Sequence, residues 1–133
     1  MIYIFKKAKV CIVPILITAM MIVLFRTVFF LGYVPSESME PTLNSGTLIL
    51  GMRIHGELKK GDIIIFQHDD TYMIKRIAAV ETDTVYHNGE LLVVPKECLY
   101  VLGDNSLSSY DSRYWEDPYV KVEDIMAKLV LAL

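Results

Sequence analysis

Hydrophobic positions along this chain fall into two regimes. From Val10 to Phe30 they run almost without a break, VCIVPILITAMMIVLFRTVFF, and Arg26 is the single charge. As a helix rising about 1.5 Å per residue this run reaches roughly 31 Å, enough for the hydrocarbon core of a bilayer. The pattern predicts a transmembrane anchor over residues 10–32. Lys6, Lys7 and Lys9 precede it, so the cytoplasmic bias of basic residues predicts a cytoplasmic segment 1–9 and an extracytoplasmic domain 33–133. Arg26 can carry its guanidinium to the headgroups, and Pro14 is of a kind that membrane helices tolerate. A cleaved secretory signal shares the basic start. Its apolar stretch is about half as long, however, and ends in an A-x-A-like site that does not follow here.

Beyond Gly46 the pattern changes to short apolar runs divided by turn residues: TLILGMRI (47–54), DIIIFQH (62–68), YMIKRIAAV (72–80), TVYH (84–87), ELLVV (90–94), CLYVLGD (98–104) and IMAKLVLAL (125–133). β-Branched and aromatic enrichment at this spacing predicts strands. Asn88-Gly89 is a two-residue hairpin signal, since a type I′ turn needs positive φ at both positions. DIIIF is apolar at successive positions, as in a strand covered on both faces. The last run could be a helix on length alone. The prediction is one compact, mostly β domain behind a single amino-terminal helix, without repeats or an internal linker.

Composition narrows the function. Of 133 residues, 13 are basic and 16 acidic, a net charge of -3. No Lys/Arg block with interleaved aromatics appears, so nucleic acid is not an expected partner. Cys11 lies in the apolar run and Cys98 far along the chain, which predicts packing roles rather than a disulfide framework. His55, His68 and His87 are scattered, and neither CxxC nor HExxH occurs, so no metal or cofactor is expected.

The segment VPSESMEPTL (34–43) sets Ser36 and Ser38 between two prolines just past the apolar run. A serine hydroxyl needs a base to become a nucleophile. No histidine stands in a partner motif, and the alternative base is a lysine. At an unperturbed pKa near 10.4, less than about one per cent of lysine is neutral at pH 8, so a lysine base must be desolvated. Taken together, Lys59, Lys60, Lys96, Lys121 and Lys128 have mostly polar or charged neighbours, whereas Lys75 lies inside YMIKRIAAV, on one strand face with Met73 and Ile77. The alternative is that this face is solvated and Arg76 turns inward; apolar neighbours on both sides leave the choice open. GDNSLSSYDSR (103–113) is turn-rich and carries charges able to brace one another with Arg76, but its composition alone reads as a surface loop.

In order, the anchor ending in FRTVFF, PSESMEPTL, GDIIIF (61–66), KRI (75–77) and GDNSLSSYDSR resemble the bacterial type I signal peptidases, membrane-anchored serine proteases with a Ser/Lys dyad. The resemblance covers nearly the whole chain. It implies Ser38 as nucleophile and Lys75 as general base. Ser36, with the Ser38 backbone N–H, would form the oxyanion hole. Ser109 would orient the lysine and Met39 would help line a substrate pocket, while Asp104, Asp111 and Arg113 would be structural support. It further implies an antiparallel β fold with an apolar surface resting on a bilayer, preprotein signal peptides cut after A-x-A-type small residues, and a lipid bilayer as partner. The chain departs from the family at Ala78–Asp83, where a Gly-rich PGD turn is common, and at Glu37, where glycine is frequent. The competing expectations are a non-catalytic assembly factor, processing of a specialised substrate such as a pilin, and self-cleavage as in SOS-response repressors. The retained serine and lysine, and the lack of a helix-turn-helix, weigh against the first and last.

Overall fold

The computed structural model describes the chain from Ile2 to Leu133, with side chains from Ile12 onward. Lys6, Lys7 and Lys9, which carry the orientation argument, and Cys11 lie outside the described side chains. Helix α1 spans Ile2–Val28. Ile15, Leu16, Met20, Val23 and Leu24 stand exposed around its described part. Within it, the Thr18 hydroxyl donates to the Pro14 carbonyl at 2.9 Å, keeping a polar group satisfied inside an apolar helix.

The apolar run does not stay helical to its end. The pattern predicts an anchor as far as residue 32, but the helix stops at Val28 and Phe29–Tyr33 form strand β1. Pairing decides this, because β1 lies antiparallel against β2 (Leu48–Met52), with Phe29 opposite Met52 and Tyr33 opposite Leu48. Arg53 closes the joint. Its amide donates to the Val28 carbonyl at 2.7 Å, its Nε donates to the Phe29 carbonyl at 3.1 Å, and its guanidinium lies 5.2 Å from the Phe30 ring centroid. A cation at these last carbonyls also complements the negative end of the helix dipole. Among the described residues no helix is long and apolar enough to cross a membrane.

The remaining strands are β3 (Ile63–His68), β4 (Thr71–Ala79), β5 (Thr84–His87), β6 (Glu90–Val93), β7 (Cys98–Leu102), β8 (Tyr119–Lys121) and β9 (Ile125–Ala132). Seven form one antiparallel sheet in the order β1-β2-β9-β3-β4-β7-β8; β5 and β6 make a separate hairpin. The final apolar run is thus a strand, inserted between β2 and β3. Ile63 to Phe66 are all buried because β3 is central and covered on both sides. Ile65 joins Val34, Met39, Leu43, Ile49 and Ile74 in one cluster, and Ile64 and Phe66 join Ile77, Val101 and Trp115 in another.

Turn chemistry follows local rules. Asn88 and Gly89 both have positive φ, 50° and 88°, as a type I′ hairpin needs. The β3–β4 turn uses Asp69 and Asp70 (φ 46° and 60°), residues that tolerate the left-handed region better than most. In place of a Gly-rich turn after the Lys75 strand, Asp83 accepts from the Val80 amide at 2.8 Å and its own amide donates to the Val80 carbonyl at 3.0 Å.

Candidate active site

Between β1 and β2 the chain makes a loop held at its base by Val34, whose amide donates to Thr47 and whose carbonyl accepts from Gly46. Pro35 follows, then a short 3₁₀ turn, Glu37–Met39, that turns Ser38 and Met39 inward. Met39 is fully buried in the β3-side core and anchors the turn. Ser38 is only 6% exposed.

Strand β4 brings Lys75 beneath this turn. Ile64 is its partner on β3, and alternation puts it on the Ile77 face, where apolar side chains leave it 5% exposed. Arg76 lies opposite Ile63 and reaches the surface. Lys75 Nζ donates to Ser38 Oγ at 2.7 Å. When the amine is neutral, the same separation lets the Ser38 hydroxyl donate to Nζ. Burial pushes the amine below its ordinary value of 10.5, and the nearby Asp111 carboxylate opposes this more weakly. Ser36 Oγ, on the exposed side, donates to Ser38 Oγ at 3.2 Å.

The loop after β7 supplies the third side of the site. Asp111, wholly buried, accepts from the Gly103 amide at 2.9 Å, Ser109 Oγ at 2.6 Å and Arg113 Nε and Nη2, each at 2.8 Å. Burial works to raise its pKa, but these donors, Arg113 foremost, together hold it below 3.8. Asp104 is gripped by Arg76 through two bonds of 2.8 and 2.7 Å, which hold its pKa down against partial burial. Arg76 also donates to the Gly61 carbonyl at 2.7 Å, tying β4 to both flanking loops.

The residues singled out in the sequence are therefore brought together around Ser38. Ser109 stands apart from its expected contact: its hydroxyl donates to Asp111, and among the described residues no hydrogen bond joins it to Lys75. Two residues that sequence reasoning did not single out fasten the loop to the serine turn. The Asn105 amide donates to the Ser38 carbonyl at 3.0 Å and its Nδ2 donates to the Glu37 carbonyl at 3.1 Å. At Gly103 a Cβ would sit 2.6 Å from the Ser38 carbonyl oxygen, so only glycine permits this approach. The -Gly-Asp-Asn- turn signal was visible, but nothing local shows that it faces a segment so distant in sequence.

A cleft of about 340 Å³ opens over the pair, lined by Pro35, Met39, Met73, Ile74, Ser108 and Tyr110 among others. A second depression of about 320 Å³ adjoins it toward β1, reaching Phe30, Gly32 and Tyr33; the two share Pro35, Thr71, Tyr72 and Ile74. A buried amine of lowered pKa in hydrogen-bond contact with a hydroxyl, at the floor of an apolar cleft, can activate that hydroxyl for attack on a carbonyl.

The family described as signal peptidase, peptidase S26, matches residues 7–94 and, overlapping it, 86–133. Among curated proteins the chain is similar to signal peptidase I of Bacillus caldolyticus, 26% identical over 87% of this chain and 86% of the relative. It is 32% identical to the probable signal peptidase I-2 of Synechocystis sp., over 62% of this chain and 54% of the relative, so it spans about half the length of that protein. It is also 33% identical, over 63% of this chain and 59% of the relative, to a mitochondrial ATP-independent inner membrane protease subunit 1b of Arabidopsis thaliana.

Proposed function

The chain belongs to the signal peptidase family, peptidase S26, and we propose that it is a serine endopeptidase that removes signal peptides from exported preproteins through a Ser38/Lys75 dyad. The observation that carries this reading is the 2.7 Å contact of a buried lysine amine with Ser38 Oγ. In the proposed reaction neutral Lys75 accepts the Ser38 proton as Oγ attacks the scissile carbonyl. Ser36 Oγ turns from Ser38 to the developing oxyanion, joined by the Ser38 amide. Lys75 then returns its proton to the leaving amine. Water hydrolyses the acyl-enzyme, with Lys75 again the base. The ladder Asp111–Ser109 and the Arg76–Asp104 pair hold the loop against the serine turn and take no proton.

Substrate would bind as an added strand. β4 pairs with β3 from Thr71 to Arg76, but with β7 only from Arg76 onward, so one edge of Thr71–Lys75 is open beside the cleft. Along an extended peptide, alternate side chains point the same way, and the two adjoining depressions can take two such side chains. This supports an A-x-A type preference. The residues before the cut would lie toward β1, on the α1 side.

For placement, α1 is proposed as a single-pass anchor of the cell membrane with the amino terminus cytoplasmic. The described side chains begin at Ile12, short of the ~20 residues a span requires, while the helix itself continues back to Ile2. Leu31, Tyr33, Leu48, Leu131 and Leu133 expose an apolar sheet face next to its end, suited to resting on the outer surface of that membrane. The test is release of mature protein from a preprotein by detergent-solubilised wild type, Ser38→Ala and Lys75→Ala. Both variants should be inactive; cleavage at the wild-type rate by either one rejects the dyad.

A further inference from the structure

We propose that the rim formed by Leu107, Tyr110 and Tyr114 binds the leaving half of the substrate, receiving an apolar or aromatic side chain within the first few residues after the scissile bond. This rests on the dyad and on the substrate direction given above. Leu107 is 97% exposed, yet its loop is not loose. Two residues before it the Asn105 amide is bonded to the Ser38 carbonyl, and the Ser108 amide closes a turn onto the Asn105 carbonyl at 3.1 Å. A single exposed leucine is ordinary on a protein surface; what distinguishes this one is that its loop is fastened to the serine turn.

Further along the same segment the apolar exposed character continues. Tyr110 and Tyr114 are each 59% exposed and lie nearly parallel, ring centroids 6.3 Å apart and planes 16° from each other. Tyr110 also meets buried Trp115 edge-on at 6.3 Å, and Trp115 stacks on His68 at 3.9 Å. The rings are thus fixed before any ligand arrives, so ordering them on binding costs little. Arg113 lies 5.5 Å from the Tyr114 ring and is itself paired to Asp111.

Continuity with the cleft identifies the occupant. Ser108 and Tyr110 line the cleft over Ser38 but not the adjoining depression beside β1, so they stand at an end of the cleft that this depression does not share. A peptide whose residues before the cut lie toward β1 must leave Ser38 at this end. Leu107 is two residues from Asn105, a reach of at most about 7 Å, which one to three extended substrate residues span.

The test uses the solubilised full chain and two peptides identical before the cut, one ending in an amide one residue after it, the other continuing three residues with a leucine or phenylalanine among them. Wild type should show the lower KM for the longer peptide. Leu107→Ser should raise that KM about fivefold to tenfold, the worth of partly burying a leucine, and leave kcat and the short peptide unchanged. Tyr114→Ser should act in the same direction. Equal loss on both peptides, or no change on either, overturns the rim while the dyad stands. Weaker binding to phosphatidylglycerol vesicles by Leu107→Ser, with both KM values unchanged, assigns the rim to lipid and overturns it too. Cleavage that survives Ser38→Ala removes the dyad, and the direction on which the rim depends falls with it.

Discussion

Two buried charged groups stand side by side in this molecule and are treated in opposite ways. Asp111 has no exposure and receives bonds from Gly103, Ser109 and Arg113, so its charge is fully compensated and its pKa lies below the ordinary value. Lys75 is nearly as buried, yet its amine makes a hydrogen bond only to a serine hydroxyl among the described residues, and desolvation lowers its pKa. Burial by itself decides neither outcome. Donors supplied to the buried group decide whether it becomes a strut or a base.

The contrast can be broken most severely at the lysine. Lys75→Met should lower kcat/KM by at least about a thousandfold, the scale of losing a nucleophile's base. It should also raise Tm, since an apolar side chain no longer carries the cost of a desolvated amine; a lower Tm in scanning calorimetry would show that Lys75 is a structural member after all. At the other group, Asp111→Ala should destabilise by about 3–5 kcal/mol, because Arg113 and the Gly103 amide are left without their acceptor. Urea titration measures it. Gly103→Ala should cost about 1–3 kcal/mol of stability for an overpacked contact, and it should depress kcat more than KM by displacing the Ser38 turn.

The finest probe of the difference is pH. A lysine whose folded pKa lies below its unfolded 10.5 penalises folding in full at low pH, and the penalty is relieved as pH rises through the folded value toward 10.5. Stability should therefore climb across that window in the wild type and not in Lys75→Met. Asp111 changes stability in the same direction with pH but as a gain rather than a relieved penalty: its contribution is present above 3.8 and is lost as pH falls through its depressed folded value. Activity should rise tenfold per pH unit up to the Lys75 pKa and then level off. Asp111→Asn removes the charge that holds that pKa up, so the rising limb should move to lower pH.

Much of this was legible in the residues. The strands announced themselves by alternation and turn residues, and Asn88-Gly89 by the one backbone conformation that it favours. β1 was hidden because Phe29 and Phe30 continue the hydrophobic run of α1; apolar character says that a residue avoids water, not whether it does so in a helix or against Met52 and Gly51. β8, at Tyr119–Lys121, is too short to carry a period. Alternation around Lys75 could not choose an inward residue because β4 is covered on both faces, and the burial followed only from Ile64 and the serine turn packing over it. The fastening of Asn105 and Gly103 to Ser38 spans most of the domain in sequence and leaves no local trace.

The passage from α1 into β1 has no intervening loop. Arg53 bonds to the Val28 and Phe29 carbonyls across it, and β1 is in register with β2 from its first residue. Such a junction has no hinge. With α1 anchored in a bilayer, as proposed, Ser38 would be carried at a set height above the lipid, as on a stand rather than on a tether. A preprotein must bring its bond up to that height, and the distance from the end of its apolar stretch to its cleavage point becomes a length that the enzyme gauges.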